Sequence, residues 1–96
     1  MSYELKFLPS SLKEWKKLDA AIKKQFKEKL AERLEHPCVP AARLHGFPNH
    51  YKIKLRTVGY RLVYEVIEKE VVVLVIAVGK REGGLVYVHV RKRSGK

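Results

Sequence analysis

The chain has 96 residues, 46% of them hydrophobic, and 21 Lys+Arg against 10 Asp+Glu give it a formal charge of +11. That length holds one domain with one modest core, and the apolar fraction excludes a chain disordered throughout. The lone Cys38 excludes an intrachain disulfide and a cysteine-based metal site.

A pI near 10.0 on so small a domain is the electrostatic footprint of a nucleic-acid binder. An anionic membrane surface, an acidic protein partner or a merely solvated basic surface fits the same charge. The first residues lack the long apolar core of a signal peptide. The longest apolar run, Val71 to Val78, is far short of a membrane span and reads as a buried strand. The expectation is a soluble, cytoplasmic protein.

Tyr3 to Leu8 alternates apolar and polar residues, which predicts an opening strand ended by Pro9. Ser11-Leu12-Lys13-Glu14 has capping-box spacing, and Leu12, Trp15 and Leu18 share one face of the helix it opens. Asp19 suits the N-cap of a second helix whose Ile22, Phe26, Leu30 and Leu34 recur every four residues. Lys23, Lys24, Lys27, Lys29 and Arg33 fill its other face, and Pro37 stops it. Residues 37–50 read as a loop punctuated by Pro37, Pro40, Gly46 and Pro48.

Three strands follow, roughly Tyr51–Arg56, Tyr60–Ile67 and Val71–Val78, joined by Thr57-Val58-Gly59 and Glu68-Lys69-Glu70. Links that short make consecutive antiparallel hairpins. The third strand is apolar on both faces and belongs near the sheet centre, covered on both sides. Gly79 to Gly84 reads as a flexible basic loop, Leu85–Val90 as a short alternating strand, and residues 91–96 as a frayed basic tail. The expected layout is βααβββ over residues 1–90, an α+β domain of two helices on an antiparallel sheet, with a further short C-terminal strand or helix.

The hairpin from Tyr51 to Arg61 carries the chemistry. With a period of two, Lys52, Lys54 and Arg56 share one face while Tyr51, Ile53 and Leu55 share the other. Clustered like charges repel, which is a poor way to build a sheet unless a polyanion sits on them. The plain alternative is that these cations are the wet face of the sheet.

The chain lacks His-x-Glu and Cys-x-x-Cys spacings, a phosphate-binding glycine loop and a nucleophile elbow. Its acidic residues lie largely in the helical half, without the convergent carboxylates of a two-metal nuclease. His36, His45, His50 and His89 form no recognisable acid–base pair; His36 and His45 read as loop residues, and His50 borders the basic strand.

Lysine and arginine remain, and they can cleave RNA because the substrate supplies its own nucleophile, the 2′-hydroxyl. Neighbouring cations disfavour the charged form of a lysine, which suits one as a general base. Arginine keeps its charge and grips phosphate oxygens bidentately.

Three stretches bring these observations to a family. They are Tyr51-Lys52-Ile53-Lys54-Leu55-Arg56, Gly59-Tyr60-Arg61-Leu62-Val63-Tyr64 and Val78-Gly79-Lys80-Arg81-Glu82. Leu12-Lys13-Glu14-Trp15, Lys17-Leu18, Lys29-Leu30, Leu34-Glu35 and Leu44-x-Gly46-x-Pro48 accompany them. On these residues the chain resembles the RelE toxins of bacterial toxin–antitoxin modules (the RelE/ParE superfamily), from Tyr3 to about Tyr87.

The resemblance implies the RelE-like microbial ribonuclease fold and an endoribonuclease that enters the ribosomal A site, cleaves the mRNA there and arrests translation. It implies Lys54 as general base, Lys52 as phosphate holder and tuner of that base, and Arg61 as transition-state clamp. It also implies Arg81 beside the leaving oxygen and Tyr87 stacked on an mRNA base. The wider basic surface, with Arg56, Lys80, Lys13 and Lys17, would dock on ribosomal RNA phosphates. No metal or organic cofactor is implied. The implied partners are a cognate antitoxin with an acidic toxin-binding segment, the ribosome, and operator DNA indirectly through the antitoxin complex.

The chain departs from the family pattern at its C-terminus. Relatives continue into a polar helical segment around the tyrosine, whereas Gly83-Gly84 and the β-branched alternation of residues 85–90 predict a strand that would turn Tyr87 into a packing residue. His45 stands where relatives often carry a fixed cation. The second functional reading is therefore a non-catalytic RNA-binding or interaction module whose cutting ability was lost through this segment. A third, a nuclease of free RNA, lacks the expected His/Glu pair.

Overall fold

The computed structural model describes residues 2–56, 58–80 and 84–93. In chain order these form β1 (Glu4–Phe7), α1 (Pro9–Lys16), α2 (Ala20–Glu35), a 3-10 turn (Pro40–Ala42), β2 (His50–Leu55), β3 (Tyr60–Ile67), β4 (Val72–Lys80) and α3 (Leu85–Arg93).

The four strands make one sheet in the order β1-β4-β3-β2. β2, β3 and β4 form the two expected antiparallel hairpins. β1 runs parallel to β4, Glu4 beside Val72 and Phe7 beside Val75, so the sheet is mixed rather than wholly antiparallel. The connection from β1 through two helices and a hairpin leaves room for that parallel return.

The α2 stripe behaves as its spacing predicts. Ile22, Phe26 and Leu30 are buried against Ile53, Leu55, Leu62, Tyr64 and Val73 on one face of the sheet. Asp19 occupies the N-cap in extended conformation, without a side-chain capping bond. Trp15 seals one end of this core between the rings of Phe7 and Phe26, at centroid distances of 5.5 and 6.1 Å.

Helix α1 departs from the capping-box reading. It begins at Pro9, which suits a first turn because its missing N–H would have no helical partner there, and its N-cap is Leu8. Ser11 lies inside the helix, fully buried. Its hydroxyl is directed to the carbonyls of Leu8 at 3.0 Å and Val75 at 2.7 Å, which ties α1 to β4. Leu12 points outward rather than into the core, since the helix is registered from Pro9.

The C-terminal segment is the main correction. Leu85–Arg93 is a helix rather than a short strand, and it continues three residues past Val90. Val86 and Val90, four residues apart, insert into a second core of Leu44, Val63, Ile76 and Ala77 on the opposite face of the sheet. Burying two side chains at helical spacing outweighs the β preference of a valine-rich run. A β-bulge prepares that face: Val63 pairs with Ala77 but Tyr64 with Val75. Ile76 is the extra residue, and Ile76 and Ala77 both enter the second core. β4 is thus covered on both sides, as its apolar run predicts.

Candidate nucleic-acid interface

Alternation along β2 buries Ile53 and Leu55 and leaves Lys54 exposed and Lys52 half-buried, with Arg56 exposed just past the strand's end. The register places Lys54 directly opposite Arg61 and Lys52 opposite Val63. Cross-strand partners share a face, with Cβ atoms about 4.5–5.5 Å apart. Lys52, Lys54 and Arg61 therefore stand together, and the Lys54–Arg61 pair sets two cations against each other at a cost in stability.

On its other side Arg61 pairs with Gly79 of β4. A Cβ at Gly79 would come within 3.0 Å of Val86 Cγ2, so the glycine lets α3 lie close on the sheet in the row that holds Lys54 and Arg61. Tyr87 follows on α3, half-buried beside the second core. The helix thus brings Tyr87 to the same face as the three cations. On a strand, by contrast, Tyr87 would be a packing residue.

Two clefts flank the ridge formed by Lys54 and Arg56. One, of about 300 Å³, is bounded by those two residues with Gly59, Tyr60 and Arg61. The other, of about 310 Å³, lies towards α2 and takes Arg33 and Lys52 into its wall. Lys80 pairs with Tyr60 and so falls on the opposite face from Arg61. Lys13 on α1 and Lys17 just past its C-terminal end are exposed and line neither cleft. Arg81 lies outside the described residues.

Two contacts were not legible in the sequence. Arg33 reads there as one cation on a solvated helix face. In the fold it is half-buried, and its Nη1 donates to the Lys52 carbonyl at 3.2 Å and to the Tyr64 hydroxyl at 2.9 Å. Tyr64 in turn donates to the Pro37 carbonyl at 2.6 Å. The second is a His/Glu pair, absent from the sequence reading: His89 Nδ1 lies 3.2 Å from Glu14 Oε2. The same carboxylate accepts from Arg93 and from the Val78 N–H. It acts as a clasp between α1, β4 and α3.

His50 is buried in β2, its Nδ1 2.7 Å from the Pro48 carbonyl and its ring 5.5 Å from that of Phe47. Among the described residues no three or more His, Cys, Asp or Glu side chains gather where they could hold a metal ion. No helix among them is long and apolar enough to cross a membrane.

A basic hairpin face on a mixed sheet, roofed at one side by a short C-terminal helix, is a surface that can hold a polyanion. Residues 5–83 match the family model of the ParE toxin of the type II toxin–antitoxin system, parDE. The chain belongs to this RelE/ParE toxin family.

Among its relatives is the mRNA interferase toxin RelE of Escherichia coli K12, 54% identical over 93 residues that span 97% of this chain and 98% of that one. The free E. coli RelE, solved as a double arginine-to-alanine mutant, superposes with a TM-score of 0.90 at 53% identity, covering 97% of this chain and 98% of that one. The same mutant bound to an antitoxin RelB peptide gives a TM-score of 0.82 at 53% identity, covering 92% and 93%.

Proposed function

We propose that this chain is the toxin of a toxin–antitoxin module, a cytoplasmic endoribonuclease that cleaves mRNA in the ribosomal A site and so inhibits translation. One observation carries the reading: Lys54 directly opposite Arg61, with Lys52 on the same face. Its near full-length likeness to a protein named mRNA interferase toxin supports it.

In the proposed reaction Lys54 takes the proton of an RNA 2′-hydroxyl, and the freed oxygen attacks the adjacent phosphorus. Arg61 and Lys52 hold the non-bridging oxygens as negative charge builds on the pentacovalent phosphate. The P–O5′ bond breaks, Arg81 stabilises the negative charge on the departing oxygen, which takes its proton from water, and the products carry a 2′,3′-cyclic phosphate and a 5′-hydroxyl. Tyr87 stacks on a neighbouring base and sets the in-line geometry. Arg56, Lys80, Lys13 and Lys17 contact ribosomal RNA phosphates, which fixes position rather than sequence. A RelB-like antitoxin is the expected inhibitor, and operator DNA is reached through that complex.

The non-catalytic alternative rested on a C-terminal strand that removes Tyr87 from the site; with residues 85–93 helical, that premise is gone. The test is cleavage of one defined mRNA, with and without programmed ribosomes carrying an empty A site, with chelator present. Cutting only on the ribosome, reduced at least about 100-fold in Lys54→Ala, is the expected result. Unimpaired cutting by Lys54→Ala would remove the proposed base.

A further inference from the structure

The cleft on the α2 side of the Lys54–Arg56 ridge shares Lys52 and Lys54 with the chemistry above, but its Arg33 and its apolar wall have no part in it. Four cations, Arg33, Lys52, Lys54 and Arg56, line one side of it. The other side is apolar and small, formed by Val39, Ala41 and Ala42 around the 3-10 turn. No acidic residue is among the described residues that line it. Cations facing a small apolar wall match the two halves of a nucleotide, a phosphate and a ribose with its base. A volume of about 310 Å³ is at the lower end for a ligand site, enough for one nucleotide unit rather than several.

Resting on the nuclease reading, we propose that this cleft is the subsite for the nucleotide next to the scissile phosphate. Arg33 takes its backbone phosphate, and the Val39–Ala42 turn takes its ribose and base.

Arg33 is suited to this by its fixation. Its two hydrogen bonds, to the Lys52 carbonyl and the Tyr64 hydroxyl, both use Nη1, and its guanidinium carbon lies 5.9 Å over the Tyr64 ring. A guanidinium has three more N–H donors on Nε and Nη2. A phosphate therefore meets a donor set that is already oriented and loses little freedom on binding. Lys54, near the end of β2, and Arg56, just past it, border both clefts. One RNA strand can thus cross the ridge from the Arg61 cleft into the Arg33 cleft.

The test uses 2′-O-methyl RNA, which lacks the nucleophile and cannot be cut. Oligonucleotides of two, three and four residues are titrated into the intact protein while backbone amide shifts and Kd are recorded. Two variants are compared with the parent. Ala41→Glu puts a negative charge on the exposed apolar wall without touching the frame, and Arg33→Gln removes the fixed cation, its fold checked by thermal melting.

The parent is expected to gain about tenfold in affinity when the strand is extended into the cleft, with shifts at Val39, Ala41 and Ala42. Ala41→Glu should lose that gain and keep the affinity for the shortest oligonucleotide. Arg33→Gln should also flatten the salt dependence of log Kd by about 0.7. An undiminished gain in Ala41→Glu, or shifts confined to the Arg61 cleft, overturns the subsite.

Ribosomal cleavage by the parent is measured alongside. Cleavage with no extension gain sinks the subsite alone. An extension gain that Ala41→Glu abolishes, from a parent that never cleaves, keeps an RNA subsite and sinks the nuclease reading.

Discussion

Arg93, the last described residue of α3, donates from Nη1 and Nη2 to the two carboxylate oxygens of Glu14, at 2.9 and 3.0 Å. Nη1 also reaches the Ile76 carbonyl at 3.0 Å, and the Val78 N–H donates to Glu14 at 3.1 Å. One acidic residue of α1 thus holds the C-terminal helix on β4, with Tyr87 between this clasp and the Gly79 contact. Both side chains are largely shielded from water, so the pair is worth more than a surface ion pair.

Removing the clasp with Glu14→Ala should cost about 1–3 kcal/mol, measured by chemical denaturation near neutral pH. Burial pushes the Glu14 carboxyl up, but hydrogen bonds from Arg93 and Val78 and the charges of Arg93 and His89 outweigh it. The result lies below the ordinary value of 4.5. A carboxyl depressed in the folded state stabilises the fold above 4.5 and loses that contribution as pH falls through its lower folded value. Stability should therefore decline below 4.5, and Glu14→Gln should flatten that part of the profile; an unchanged acid limb would remove the clasp from the explanation.

Arg61→Ala should lower the single-turnover cleavage rate by about 10²–10³-fold while leaving ribosome affinity within a few-fold. The side chain stands directly opposite Lys54, so its loss should act on the charged transition state more than on docking. A variant that cleaves normally once bound, but binds poorly, would assign Arg61 to docking.

Val71 turns the β3–β4 hairpin with φ of 55°, a left-handed conformation that a β-branched residue adopts only under strain. Its carbonyl accepts the Glu4 N–H at 2.9 Å, which holds the turn beside the start of β1. Val71→Gly relieves the strain and should raise stability by about 1 kcal/mol, read as a higher Tm. A lower Tm would mean that the packing of the half-buried valine outweighs its strain.

Much of the site was readable before folding was considered. The alternation of Lys52, Lys54 and Arg56 with Ile53 and Leu55 gave the cationic face, because a strand has only two faces and one was greasy. The short link after Arg56 put Arg61 on the next strand of the same hairpin, but a strand ending at Arg56 would have set it opposite Leu55; the register that pairs it with Lys54 came only with the fold. The α2 stripe gave the main core by the same periodic logic. The parallel partner of β1 was not readable, because nothing local encodes which strand a distant segment joins.

The sequence by itself determined the charge, the three β-hairpin strands, the amphipathic α2 and the cationic row, all of which follow from side-chain period and short connections. Only the tertiary structure decided that residues 85–93 are helical, that Glu14 and Arg93 meet, and that Arg33 lies against β2. Each depends on burial or pairing between residues far apart in the chain. Val86 and Val90 fill a core that exists only once the bulge at Ile76 has shaped the second face of the sheet, and that gain overrides a local β preference.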